Sequence, residues 1–322
     1  MVGQRARLSA GFLLLGALML SGCASLLPQT VALFEQRPAD LPARVELTDV
    51  PFFPQEEYQC GPAALAMALN AAGVRVTPES LVEQVYIPAR KGSLQVEMLA
   101  AARRHGLIAY ELEPKLTDLL REIAAGTPVI VLENHGFKWW PIWHYAVAVG
   151  YDLGEGVLIR RSGLKQRQAM PIPVFEFLWK DNGHWAMVAV PPDRVPATAT
   201  EVRYAGAVVA LESRGQIKNA HIAYNALLKR WPSNLAGLIG HGNTAYALGD
   251  LAAAETAFRQ AVERHPDSAA ALNNLAQVLA DRGKLDEALV TAERAVSLGG
   301  PLLPAMQNTL NEIRTKSGAG SR

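Results

Sequence analysis

From residue 201 onward the sequence repeats itself. Gly215, Gly249 and Gly283 recur every 34 residues, and the same step links Ala220, Ala254 and Ala288, then Tyr224, Phe258 and Ala292, then Pro232, Pro266 and Gly300. A period of this size means that each repeat is one supersecondary unit unable to bury its apolar face alone, so neighbours must stack into a continuous core. The periods 201–234, 235–268 and 269–302 give three repeats, close to the minimum for a stable stack, and 304–316 reads as a helix capping the end.

The period and its ladder of small, aromatic and proline positions resemble tetratricopeptide repeats, which implies helical hairpins in an all-α solenoid. The resemblance also implies a protein or peptide partner in the concave groove, where Asn219, Asn243, Asn273 and Asn274 are candidate lining residues. A purely spacing or dimerising role, with these asparagines simply solvated, is the alternative.

At 322 residues the chain has room for two domains. Its formal net charge of +1 offers no broad basic face, which argues against a nucleic-acid partner.

The first residues read as targeting rather than fold. Arg5 and Arg7 precede a short apolar run from Ala10 to Leu20, too short for a stable bilayer span, with small residues Ser21 and Gly22 after it. Leu20-Ser21-Gly22-Cys23 resembles a bacterial lipoprotein signal, which implies cleavage after residue 22 and lipid on Cys23. An ordinary secretory signal that leaves Cys23 unmodified is the alternative. More than one acyl chain is what stable anchoring needs. Ala24 and Ser25 lack the aspartate that favours inner-membrane retention in many Gram-negative species, so the expected location is the periplasmic face of the outer membrane. Residues 23–44, polar and with Pro28, Pro38 and Pro42, read as a tether.

With Cys23 lipidated, Cys60 has no partner for an internal disulfide. A lone thiol in an oxidising compartment is oxidised unless buried or used. Two cysteines also cannot build a cysteine-rich zinc site, and neither metal nor cofactor is expected.

The stretch 45–192 is expected to form one α+β domain. Val45, Leu47 and Val50 suggest a short strand. Gly61-Pro62 followed by an apolar run predicts a helix with proline in its first turn, ended at Gly73. Further helices are expected from Thr77 through Val85, from Ser93 through His105 and from Leu116 to Ala125. Then the pattern changes to strands at 129–132, 144–151 and 157–159, a short helix at 175–179 and a closing strand at 185–190. Residues 193–200 form a linker.

Cys60 would sit at a helix start, where partial positive charge and free N–H groups lower a thiol pKa and stabilise an oxyanion. Thiol catalysis also needs an imidazole to take the proton and a second oxyanion donor. Gln55 is the candidate donor, better placed than the adjacent Gln59. Of the histidines before Val190, His105 ends a helix and His144 opens a buried strand, so His144 is the preferred base with His135 and His184 in reserve.

Three motifs carry a resemblance across about 45–192. They are Val50-Pro51-Phe52-Phe53-Pro54-Gln55, Cys60-Gly61-Pro62-Ala63-Ala64-Leu65, and His144-Tyr145-Ala146-Val147-Ala148-Val149-Gly150-Tyr151. Together they are similar to stand-alone members of the papain-like double-glycine-leader, or bacteriocin-processing, peptidases. The resemblance implies Cys60 as nucleophile, His144 as base and Gln55 as oxyanion donor. The implied activity is that of a thiol-dependent amide hydrolase, a cysteine peptidase acting on a peptide or protein.

That family usually places an aspartate on the strand after the histidine strand. If 144–151 and 157 onward pair as a hairpin, His144 faces roughly 161–165, a stretch without a carboxylate. Ser162 or a backbone carbonyl is left to orient the imidazole. Asn134 is a further candidate, and Asp152 lies at the wrong end. The missing aspartate keeps an alternative open: a catalytically impaired papain-like module that serves as a peptide-binding or scaffolding lipoprotein. The aromatic run from Phe137 to Trp143 is either a substrate wall or a packing surface.

Overall fold

The computed structural model describes residues 27–55 and 59–319. Cys23 and the signal lie outside the described residues. Two compact units emerge, one holding most residues up to Ala189 and the other the helices from Ala199 onward. No helix among the described residues is long and apolar enough to cross a membrane.

The first unit opens with α1 (Pro28–Glu35), in the stretch expected to be a tether. Leu33 and Leu41 are buried, and the N–H groups of Gln29 and Thr30 donate to the two carboxylate oxygens of Glu176 at 3.0 and 2.6 Å. Glu176 thus satisfies first-turn amides that Leu27 has no side-chain oxygen to cap. Arg121 pairs with Asp40 at 2.7 Å. From Leu27 on, the tether reading is therefore corrected: two leucines and a remote carboxylate dock this stretch.

β1 (Arg44–Glu46) follows, then α2 (Cys60–Ala71), α3 (Pro78–Val85), the short pair β2 (Tyr86–Ile87) and β3 (Gly92–Ser93), and α4 (Gln95–Arg104). α2 is buried from Gly61 to Leu69, as expected of a helix apolar on all sides. α3 starts at a capping box in which Thr77 and Ser80 satisfy each other's backbone N–H.

The sheet is built from β4 (Ile108–Glu111), β5 (Val129–Asn134), β6 (Trp143–Asp152), β7 (Val157–Ser162), β8 (Lys165–Pro171) and β9 (Ala186–Val190). Its order is β4-β9-β5-β6-β7-β8, with β1 paired to the far end of β6. Gly150 permits that last pairing, since a Cβ there would lie 2.6 Å from the Val45 carbonyl oxygen. The unit is completed by α5 (Leu116–Ala124) and α6 (Ile172–Trp179). β4 and β8 were not foreseen.

The second unit is a run of antiparallel helix pairs: α7 (Glu201–Glu212) with α8 (Ile217–Arg230), α9 (Leu235–Ala247) with α10 (Leu251–Arg264), and α11 (Ala269–Asp281) with α12 (Leu285–Leu298), followed by α13 (Leu303–Ala319). The sequence ladder is its core. Ala220, Ala254 and Ala288 are fully buried, and Tyr224, Phe258 and Ala292 nearly so. Gly215, Gly249 and Gly283 turn each pair at φ of 75°, 84° and 76°, a conformation costly for residues with a Cβ. Asn234, Asp250 and Ser268 cap the helices after them.

Candidate active site

Cys60 is the first residue of α2, and Gly61 lets the chain pass close to Ser93, whose Oγ would lie 2.2 Å from an added Cβ. Gln55 precedes it on an extended segment clamped to the β7–β8 turn. Its backbone N–H donates to the Gly163 carbonyl at 3.0 Å, and its side-chain oxygen accepts from the Gly163 N–H at 2.6 Å. The side-chain nitrogen donates one hydrogen to the Tyr145 carbonyl at 3.1 Å. A primary amide carries two, so one remains for a ligand.

His144 stands at the rim of the sheet on β6. Its Nε2 lies 2.9 Å from Ser162 Oγ, the partner the hairpin argument anticipated. Gln55, Cys60, His144 and Ser162 all line one cleft of about 1170 Å³. The structure therefore gathers the four residues singled out from sequence. It does not bring in His184, which packs edge-on against Trp179, nor Asn134 as an orienting group. The Asn134 side chain accepts from the N–H groups of Gly136 and Ile142 and donates to Asp181, shaping the hairpin instead. Asp152 accepts from Gly154 and Glu155 at the opposite end of the strand.

Burial decides the charge state of this site. It pushes the Cys60 thiol up, and backbone hydrogen bonds from Tyr145, Gly61 and Cys60 itself only partly oppose it. The lowering expected from the helix start is thus overturned by desolvation. Burial likewise depresses His144 to about 4, with Glu133 pulling its affinity for a proton up and His135 and Arg160 pushing it down. At neutral pH the thiol and the imidazole that share this cleft are both neutral at rest.

Sequence reasoning missed Glu133. In the β5–β6 ladder Glu133 pairs directly with His144, so the two side chains stand on the same face of the sheet. Glu133 is fully buried; its Oε2 bonds Arg160 and lies 2.8 Å from His135 Nε2. The signal was present in the turn: Phe137 pairs with Trp140, and counting outward reaches Asn134 with Trp143 and Glu133 with His144. That hairpin is exposed, Trp139 at 79%, while Ile142 and Trp143 line the cleft.

Two stretches of the chain match known families. Residues 47–187 match the Peptidase_C39 like family. Residues 239–300 match the tetratricopeptide repeat family. The chain is thus a C39-like α+β domain followed by a tetratricopeptide solenoid.

Among solved structures it is similar to a Bacillus anthracis protein described as C39-like, at 22% identity over 46% of this chain and 98% of that one, with a TM-score of 0.40. The first tetratricopeptide domain of Spaghetti (RPAP3), solved with an HSP90 peptide, is 20% identical over 38% of this chain and 94% of that one, with a TM-score of 0.35. The Yersinia enterocolitica secretion chaperone SycD, solved with a peptide of the translocator YopD, is 17% identical over 38% of this chain and 98% of that one, also at 0.35. No curated protein matches.

Proposed function

We propose that the chain is a lipid-anchored cysteine peptidase of the bacterial cell envelope, hydrolysing peptide bonds through Cys60 and His144. The observation that carries this reading is the contact between His144 Nε2 and Ser162 Oγ. With Nε2–H donating to Ser162, Nδ1 is the basic nitrogen and is left for the thiol in the cleft that Cys60 shares.

In the proposed cycle His144 takes the Cys60 proton as sulfur attacks the peptide carbonyl. The resulting oxyanion is held by the Cys60 N–H and the second hydrogen of the Gln55 amide. The C–N bond breaks as His144 returns the proton to the leaving amine, leaving a thioester. His144 then takes a proton from water, the hydroxyl attacks the thioester, and the carboxylic acid and the thiol are released.

Leu20-Ser21-Gly22-Cys23 supports lipid on Cys23, and Ala24-Ser25 supports the periplasmic face of the outer membrane. Palmitate labelling that is lost in Cys23→Ala tests the anchor. The repeats serve as the docking site for a peptide or protein partner.

One observation favours the second reading, a peptide-binding module without turnover: burial keeps both Cys60 and His144 neutral at rest. Turnover of a peptide library separates the two. The peptidase reading expects Cys60→Ser to lower it about a thousandfold or more and His144→Ala to do likewise. Unchanged hydrolysis in either variant overturns it, and full cellular complementation by Cys60→Ser supports the binding module.

A further inference from the structure

The aspartate missing after the histidine strand leaves a chemical vacancy, because Ser162 is neutral and cannot balance an imidazolium as a carboxylate does. Three observations converge on a replacement. Glu133 is the direct cross-strand partner of His144. It is fully buried, and its Oε1 has no hydrogen-bond partner although Oε2 is shared by Arg160 and His135. The His135 ring also stands edge-on to the His144 ring, with centroids 5.1 Å apart.

We propose that Glu133 is the positioning carboxylate of this site, entering from the strand before His144 rather than the strand after it and stabilising the imidazolium that forms when His144 takes the Cys60 proton. The proposal rests on the Cys60–His144 reading above.

The charged groups that act on His144 are Glu133 and His135 from the β5 side and Arg160 from β7; Cys60 lines the same cleft from α2, and Asp181 is engaged by Asn134. Among them Glu133 alone favours a positive ring through its charge; burial is the larger, opposing influence, and those of His135 and Arg160 are each smaller than that of Glu133. Arg160 has a second effect. Together with the hydrogen bond from His135 it keeps Glu133 ionised against burial, preserving a negative charge in a place where an unpaired carboxylate would take up a proton.

The test reads the thiol directly and does not need turnover, so its failure is distinct from failure of the peptidase assignment. In the full chain carrying Cys23→Ser, iodoacetamide alkylation reports Cys60 alone, and its rate is followed from pH 6 to 8. Glu133→Gln is expected to slow alkylation about tenfold or more in that window, the effect of removing one opposite charge near the imidazole. Glu133→Asp should retain most of the rate.

In a His144→Ala background Glu133→Gln should have no further effect. An unchanged rate in Glu133→Gln, or an equal slowing with and without His144, overturns the proposal. Where Glu133→Gln alone does not fold, Glu133→Gln combined with Arg160→Met removes the stranded guanidinium and is read by the same criteria.

Discussion

Acidification should unfold the first unit partly through a single imidazole. His144 is depressed by burial to about 4 from an ordinary 6.5. Because the folded-state value is the lower one, the unfolded chain binds the proton first. The stability held above pH 6.5 is therefore lost as pH falls toward 4. At pH 5 the two values correspond to about 2 kcal/mol of lost stability, and below pH 4 to an upper bound of about 3.4 kcal/mol.

Urea unfolding at pH 7 and pH 5 measures this, and tryptophan fluorescence is a suitable signal because Trp139, Trp140, Trp143, Trp179 and Trp185 belong to the first unit and Trp231 to the repeats. The comparison is with His144→Gln, which cannot titrate. Carboxylates such as Glu46, whose acid is strengthened by Arg167, lose stability equally in both proteins. The wild type should thus lose about 2 kcal/mol more than the variant between the two pH values. Equal losses would refute the claim that His144 is held neutral by burial.

Glu176→Ala removes the acceptor of two α1 amides and should cost about 1–3 kcal/mol, with limited proteolysis cutting within 27–44 in the variant and not in the wild type. Gly240→Ala places a Cβ 2.1 Å from the buried Tyr224 ring; overpacking of about 1–3 kcal/mol should lower the melting temperature of the repeats and leave that of the first unit unchanged. Gln55→Ala should lower peptide turnover about a hundredfold or more through loss of an oxyanion donor, while iodoacetamide still labels Cys60.

Most of the helical framework was legible because its signals are local. Gly61-Pro62 before an apolar run, Thr77 with Ser80, and the 34-residue ladder each state a helix boundary or a packed face in consecutive or evenly spaced residues. The misses have the opposite character. β8 is a largely exposed edge strand, Lys165-Gln166-Arg167-Gln168-Ala169-Met170-Pro171, whose polar residues suit an edge and hide the alternation of a half-buried strand. β4 is four residues long and fully apolar only over Ile108 to Tyr110. The docking of α1 depends on Glu176, about 147 residues away, which no local pattern reveals. Ser162 is reached from His144 through the downstream hairpin, and Glu133 through the upstream one that turns at Phe137 and Trp140.

Several buried polar groups of the first unit serve the backbone of the fold. Glu176 serves the amides of α1, Glu122 the amide and hydroxyl of Thr198, Arg161 the carbonyls of Thr48 and Gln166, and Asn134 the amides of its own hairpin. Each replaces a backbone hydrogen bond the fold would otherwise lack, which justifies its burial. Glu133 and Arg160 do nothing of the kind: they bond each other, Glu133 also bonds His135, and a buried ion pair of this sort is often no more stable than apolar residues in its place. A pair with so little to offer the fold, whose carboxylate takes the ladder position opposite the one histidine that shares a cleft with the thiol and contacts Ser162, is better explained by what it does to that histidine's charge.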